Sequence, residues 1–288
     1  MSLNILRTIA RTTNLATTLK AAIQSGNVEL VWLISETDGI VDDDSLVYAC
    51  QHGQTEIVRM LLELPPERGV NLDEALQTAS EHGYTEIVRM LIELPLERGP
   101  GQSLAFRFAC RCGHTEIVRL LLELPRGVDP AARDNEALRW ACIRGHTEIV
   151  RMLLDLPLDR GVDPAAMNHE ALRRAYYNGH TNIVRLLLDL PLDRGVDPAA
   201  RDNDALRFAS KYGYTEIVRL LLDLPLDRGI NPAAEDNEAL RCACANGHTK
   251  IVRLLLDVPL DRGINPAAED NEALRCACAN GHTKIVRL

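Results

Sequence analysis

Aromatic side chains are scarce: two Trp, six Tyr and three Phe make up 4% of 288 residues. Aromatic rings dominate many large cores, so small aliphatic residues must do most of the packing here. Positive charge is also short, with 32 Lys and Arg against 41 Asp and Glu and a net charge of −9. That balance argues against nucleic acid, which calls for a basic stripe. No apolar run approaches the roughly 20 residues of a membrane-spanning helix. Arg7, Arg11 and Lys20 interrupt the early apolar residues where a signal peptide needs a continuous stretch. Also missing are a glycine-rich phosphate loop, a nucleophile elbow and a paired-histidine zinc motif. The chain is therefore expected to be no enzyme, to hold no metal or cofactor, and to bind neither nucleic acid nor membrane.

What the sequence has is repetition. A glycine opens each copy of one pattern, at Gly26, Gly53, Gly83, Gly113, Gly145, Gly179, Gly213, Gly247 and Gly281. The spacings are 27, 30, 30, 32 and then 34 four times. Ile230 to Leu254 recurs letter for letter as Ile264 to Leu288, as after a recent internal duplication. The clearest copy runs from Gly145 through His146, Thr147, Glu148 and Ile149 to Asp155. Ile149, Val150, Leu153 and Leu154 share one helical face, with Glu148, Arg151 and Asp155 on the other. Thr147 is placed to cap the helix, and Pro157 to end it. One such helix cannot bury its stripe alone, so the units must stack, each touching only its neighbours. A partner helix precedes each glycine, as in Glu136-Ala137-Leu138-Arg139-Trp140-Ala141-Cys142.

These residues identify a resemblance. Glu238-Ala239-Leu240-Arg241-Cys242-Ala243-Cys244 followed by Gly247-His248-Thr249-Lys250-Ile251-Val252-Arg253-Leu254-Leu255-Leu256 is similar to the two helices of an ankyrin repeat. The resemblance implies an all-α, helix-turn-helix repeat solenoid acting as a protein-interaction module. Residues 19–288 are read as about nine units, the last truncated. Residues 1–18 are read as an N-terminal capping helix, although Met1 to Val28 lack any acidic residue, as a transit peptide would.

Two departures matter. The family's Thr-Pro-Leu-His is replaced by Glu-Ala-Leu-Arg or a variant. Its β-hairpin finger is replaced by segments such as Val196-Asp197-Pro198-Ala199-Ala200, where Asp followed by Pro is a helix-start signature. A short helical turn or compact loop is expected there. The 34-residue period reflects a Leu-Pro-Leu-Asp-Arg-Gly insert after the second helix, and units two to four should have more stunted connections.

The eight cysteines do not form a metal set. In Cys242-Ala243-Cys244 and Cys276-Ala277-Cys278 the thiols sit two apart on a helix and face different ways. Cys50, Cys110, Cys142, Cys244 and Cys278 stand where the family has a buried Ala, and are expected to be small core residues. Cys242 and Cys276 on successive helices should lie beyond disulfide reach. Free thiols suit a reducing, cytoplasmic compartment. The histidines after the repeat glycines, His114, His146, His180, His248 and His282, are read as structural. Glu148, Arg151 and Asp155 read as a solvated salt-bridge ladder.

The informative positions vary while the frame stays fixed. Leu138, Ala141, Cys142 and Gly145 should face the stack, leaving Trp140, Ile143 and Arg144 on what would be the concave inner wall. Equivalent positions give Tyr48, Phe108, Arg111, Arg174, Tyr177, Asn178, Phe208, Lys211 and Tyr212 as candidate partner-binding residues, with Trp140 and Arg144. Trp, Tyr and Arg dominate binding hot spots. The alternative, in which the aromatics only fill the wall between inner helices, stays open. Cys242, Cys276, Ala245 and Asn246 make the last units look like blank spacers.

The expected function is a non-enzymatic scaffold whose inner wall holds a protein partner with acidic and apolar features, the chain itself being a monomer. A second reading makes the array the targeting module of a larger enzyme or of a secreted bacterial or viral effector delivered into a host cell, with catalysis outside this chain. Its motive is the halt at Val286-Arg287-Leu288, inside a second helix and without a polar cap repeat. Self-association through that uncapped end is a third.

Overall fold

A computed structural model describes residues 15–36, 41–64, 71–95, 101–124, 127–259 and 262–288. The expected capping helix falls largely outside them, as do most of the short connections of units two to four. Among the described residues the protein is all-helical. The first compact unit, up to Asp129, contains α1 (Leu15–Gln24), α2 (Val28–Ser35), α3 (Asp43–Gln51), α4 (Thr55–Leu62), α5 (Leu72–His82), α6 (Thr85–Ile92), α7 (Gln102–Cys112) and α8 (Thr115–Glu123). The second unit begins at Pro130. It contains α9 (Ala132–Arg144), α10 (Thr147–Leu154), α11 (Ala166–Tyr177), α12 (Thr181–Leu188), α13 (Ala200–Tyr212), α14 (Thr215–Leu222), α15 (Ala234–Ala245), α16 (Thr249–Leu256), α17 (Ala268–Ala279) and α18 (Thr283–Val286).

Odd-numbered helices are the inner member of each pair and even-numbered ones the outer. Within each unit, inner helices pack on inner helices, and each outer helix packs on its own partner. The outer stripe is fully used: Ile149, Val150, Leu153 and Leu154 are buried, as are Ile217, Val218 and Leu221. At ~1.5–3 kcal/mol for each buried aliphatic side chain, this stripe is the main stabilising term of a repeat. Glu148 and Arg151 pair across the solvent face at 3.6 Å, both more than half exposed, which is worth little. Asp155 is instead the C-cap residue, its N–H donating to the Arg151 carbonyl.

The turn between paired helices explains the glycine and the histidine together. Gly145 closes α9 with φ +84, in the left-handed region that favours glycine. A Cβ there would also meet the His180 ring of the next repeat at 2.7 Å. That ring lies there because His180 Nε2 bonds the Ile143 carbonyl at 3.0 Å, as His248 bonds the Lys211 carbonyl at 3.0 Å and His114 the Glu81 carbonyl at 2.8 Å. A carbonyl only accepts, so Nε2 carries the proton. This corrects the expectation for Thr147. The N-cap is His146, without a side-chain capping bond, and Thr147 is the first helical residue, its N–H bonded to the Gly145 carbonyl at 2.9 Å.

The two units start their inner helices differently. In the first, α3 opens on a capping box between Asp42 and Ser45, and α5 on Asn71, whose side chain accepts the Glu74 N–H at 3.1 Å. In the second, α10, α12 and α14 run into the insert, which forms a 3-10 turn at Leu158–Arg160, Leu192–Arg194 and Leu226–Arg228. The Asp-Pro-Ala-Ala segment follows and makes the expected single turn: Asp163 Oδ1 accepts the Ala165 N–H at 2.8 Å. It does not run on into the inner helix. Three residues then turn left-handed, at Arg133–Asn135, Met167–His169, Arg201–Asn203, Glu235–Asn237 and Glu269–Asn271, so the right-handed helix proper begins at the following acidic residue. Left-handed backbone costs L-residues about 1–2 kcal/mol each. The last residue of the triplet ties it to the next repeat and recovers part of that cost, about 0.5–1.5 kcal/mol per bond. Asn135 Oδ1 accepts the Asp163 N–H at 2.9 Å, Asn203 that of Asn231 at 2.7 Å, and Asn237 that of Asn265 at 3.0 Å.

Candidate functional site

The second unit carries two polar ladders, one along its inner helices and one from its inserts to the ends of its outer helices. The motif standing in for Thr-Pro-Leu-His makes the first: Arg139 reaches Glu170 at 2.6 Å, Arg207 reaches Glu238 at 3.1 Å and Arg241 reaches Glu272 at 2.7 Å. Each links one repeat to the next. The insert makes the second. Arg194, Arg228 and Arg262 donate to the Leu154, Leu188 and Leu222 carbonyls at 3.3, 3.1 and 2.8 Å. Each places a cation on the orphan carbonyls at the end of the preceding repeat's outer helix.

One position departs from the first ladder. Asp204 stands where neighbouring repeats have Glu, and Tyr176 where they have Cys or Ser. The shorter acid admits the longer phenol: Tyr176 and Tyr177 hydroxyls donate to Asp204 Oδ2 at 2.9 and 2.6 Å, and Arg207 donates to Oδ1. Burial alone would raise the Asp204 carboxyl, but bonds from Tyr177, Arg207 and Tyr176 outweigh it and hold it below its ordinary value. Burial likewise opposes ionisation of Glu170, and bonds from Arg139 and Arg174 outweigh it. Both phenols are pushed up, by burial first and by Asp204 next, and remain donors.

An aromatic strip lies over this lock. The Tyr177 and Phe208 rings are 4.1 Å apart between centroids, Phe208 and Tyr212 4.3 Å, and Tyr212 and Tyr214 6.3 Å. Lys211 Nζ lies 5.5 Å from the centre of the Tyr212 ring. Tyr212 is 50% exposed, and Lys211 and Arg144 are exposed. The other candidates of this unit are already engaged. Arg174 pairs with Glu170 at 2.8 Å, Asn178 donates to the Arg174 carbonyl at 2.8 Å, and Trp140 Nε1 donates to Glu136 at 3.4 Å.

In the first unit Phe108 lies under the Arg111 guanidinium at 4.5 Å, and Arg111 pairs with Glu81 at 2.7 Å. Tyr48 packs on His52 with ring centres 4.3 Å apart and planes tilted by 44°, and Lys20 Nζ lies 5.9 Å from the Tyr48 ring centre. The candidates thus form a strip within the second unit and separate clusters within the first.

All eight cysteines are free thiols. Burial pushes Cys50 up to about 12 and Cys244 up to about 11, and raises Cys110 and Cys142. These thiols stay protonated, as core residues should. Cys278 corrects the expectation: it is exposed, because it lies on the face that the next inner helix covers in earlier repeats. Among the described residues no group of three or more His, Cys, Asp or Glu could hold a metal ion, and no helix is long and apolar enough to cross a membrane.

Paired helices stacked in series define a helical repeat solenoid. The family model described as ankyrin repeats (3 copies) matches residues 19–99, 46–134, 95–168, 156–236 and 206–288. The chain belongs to the ankyrin repeat family, whose repeats are in general protein-interaction modules and typically non-catalytic. No curated protein matches it.

Proposed function

We propose that this protein is a non-enzymatic scaffold holding a protein partner on the inner-helix wall of its second unit. The observation that carries the reading is the Tyr177–Phe208–Tyr212 strip, with the exposed Lys211 at the Tyr212 ring and a further exposed cation, Arg144, at the end of the preceding inner helix, in a chain of net charge −9. Large aromatic surface beside cations suits a partner segment with apolar anchors and acidic flanks. The Asp204 lock beneath holds the strip rigid, which lowers the ordering cost of binding. A reducing, cytoplasmic setting suits the free thiols.

The test is an affinity pulldown with wild type and an Arg144→Glu, Lys211→Glu, Tyr212→Ala variant. All three side chains are exposed, so folding should survive, and circular dichroism checks it. Trp140, Arg174 and Phe208 are poorer choices because each is tied into the wall. A partner kept by wild type and lost by the folded variant is the expected result. Equal capture by both would move the binding surface elsewhere.

A further inference from the structure

A second surface lies at the inserts. Leu158, Leu192 and Leu226 are 68%, 62% and 69% exposed, unusual values for a large apolar residue recurring at one position of these three turns. Each is held out by a rigid platform. Pro157 precedes Leu158, Arg160 N–H donates to the Pro157 carbonyl at 2.9 Å, and Gly161 N–H to the Leu158 carbonyl at 3.0 Å. The same bonds recur around Leu192 and Leu226 at 3.0–3.1 Å. Beside Leu226 a cleft of about 400 Å³ runs to the next insert, lined by Ile230, Pro232 and Arg262.

The charge beside the leucines is one-sided. Arg194 and Arg228 turn inward onto helix-end carbonyls, whereas Asp159, Asp193 and Asp227 next to the leucines are exposed. Further back the outer helices expose both signs, Asp155, Asp189 and Asp223 preceded by Arg151, Arg185 and Arg219. The ridge is thus apolar with an acidic border, the inverse of the inner wall. Packed repeats advance by about 8–10 Å, and residues seven apart on a helix by about 10.5 Å. Three leucines on short turns offer much less than the ~800 Å² per partner that a stable dimer buries, which favours a single helix over a second copy.

We propose that the Leu158–Leu192–Leu226 ridge docks a basic amphipathic helix with an apolar residue at every seventh position. The probe is a fluorescein-labelled Lys/Ala peptide of about 20 residues with leucine at every seventh position, titrated with the full chain and followed by anisotropy. Saturable binding should weaken at least about tenfold for a Leu158→Ser, Leu192→Ser, Leu226→Ser variant, and by as much for a peptide of the same composition with its leucines scattered. An Asp159→Asn, Asp193→Asn, Asp227→Asn variant should bind more weakly and with a flatter salt dependence. The inner-wall variant should bind as wild type does, which keeps this test separate from that of the proposed function. The proposal fails if wild type shows no saturable binding, or if the leucine variant or the scattered peptide binds equally well. Sedimentation showing that the leucine variant abolishes a dimer would assign the ridge to a second copy instead.

Discussion

The helices before Asp129 and those after Pro130 bury the same stripes by different polar means. In the first unit α3 and α5 are capped locally, by Asp42 with Ser45 and by Asn71. In the second, side chains reach into both neighbouring repeats, Asn203 forward to Asn231, Arg207 forward to Glu238 and Arg228 back to Leu188. The first unit has single counterparts, Asp73 accepting the Gly101 N–H and Arg111 pairing with Glu81, but no left-handed triplet among its described residues. A local cap stabilises one helix. A bond to the neighbour stabilises an interface, and it fixes the spacing at which wall residues meet. The left-handed triplets are what bring those asparagines to the next repeat, and the aromatic strip is joined to this framework where Tyr177 donates to Asp204.

The comparison can be broken most sharply at its carboxylates. Asp204→Ala leaves two phenols and a guanidinium without their shared acceptor, and should cost about 3–5 kcal/mol by urea denaturation. The first-unit counterpart, Glu81→Ala, breaks a partly exposed pair with Arg111 and should cost about 1 kcal/mol or less. Equal losses would mean that the lock adds nothing to an ordinary surface pair.

Acid should also act on the second unit through these groups. The Asp204 and Glu170 carboxyls are lowered in the folded state. Their contribution is therefore complete above the unfolded carboxylate range, near pH 4, and is lost as pH falls through the folded values. Hydrogen exchange across that range should show α11 and α13 losing protection as these carboxyls protonate. Loss beginning well above the carboxylate range would contradict the assignment.

Asn203→Ala removes the acceptor of the Asn231 N–H and should cost about 1–3 kcal/mol. Smaller still is the backbone term. Glu235→Gly, at a left-handed position, should stabilise by up to about 1 kcal/mol, whereas Gln77→Gly within right-handed α5 should destabilise by a similar amount. Thermal melts of the two variants should move in opposite directions. The units should agree at one place. Ser80 and Ser210 have buried hydroxyls with no hydrogen-bond partner among the described residues, at the position Cys holds in other repeats. Replacing either by Cys should stabilise by about 1 kcal/mol.

What the sequence reading reached and missed follows from range. The helix pairs were legible because a 3.6-residue pattern returned with every glycine, and the structural role of the histidines because they accompany that glycine. The Thr147 cap was misread because His146 takes the N-cap position. Asp202-Asn203 sits in a run that looks helical, and only the left-handed tolerance of Asp and Asn hinted at a reversed turn. Glu170 and Asp204 were missed as wall-builders because their partners Arg139 and Tyr176 lie 31 and 28 residues away. A longer side chain in one repeat matched by a shorter one in the next, Tyr176 against Asp204, was the available signal. Which candidate cations are committed within the wall needed coordinates, since Arg174 and Lys211 are both exposed but Arg174 is paired with Glu170 on its own helix.

The most direct measurement is hydrogen exchange on the full chain with and without the partner captured by wild type. Added protection should fall on α11 and α13, at Tyr177, Phe208 and Tyr212, and leave the outer helices α12 and α14 unchanged. Protection confined to the outer helices or the inserts would contradict the inner-wall account.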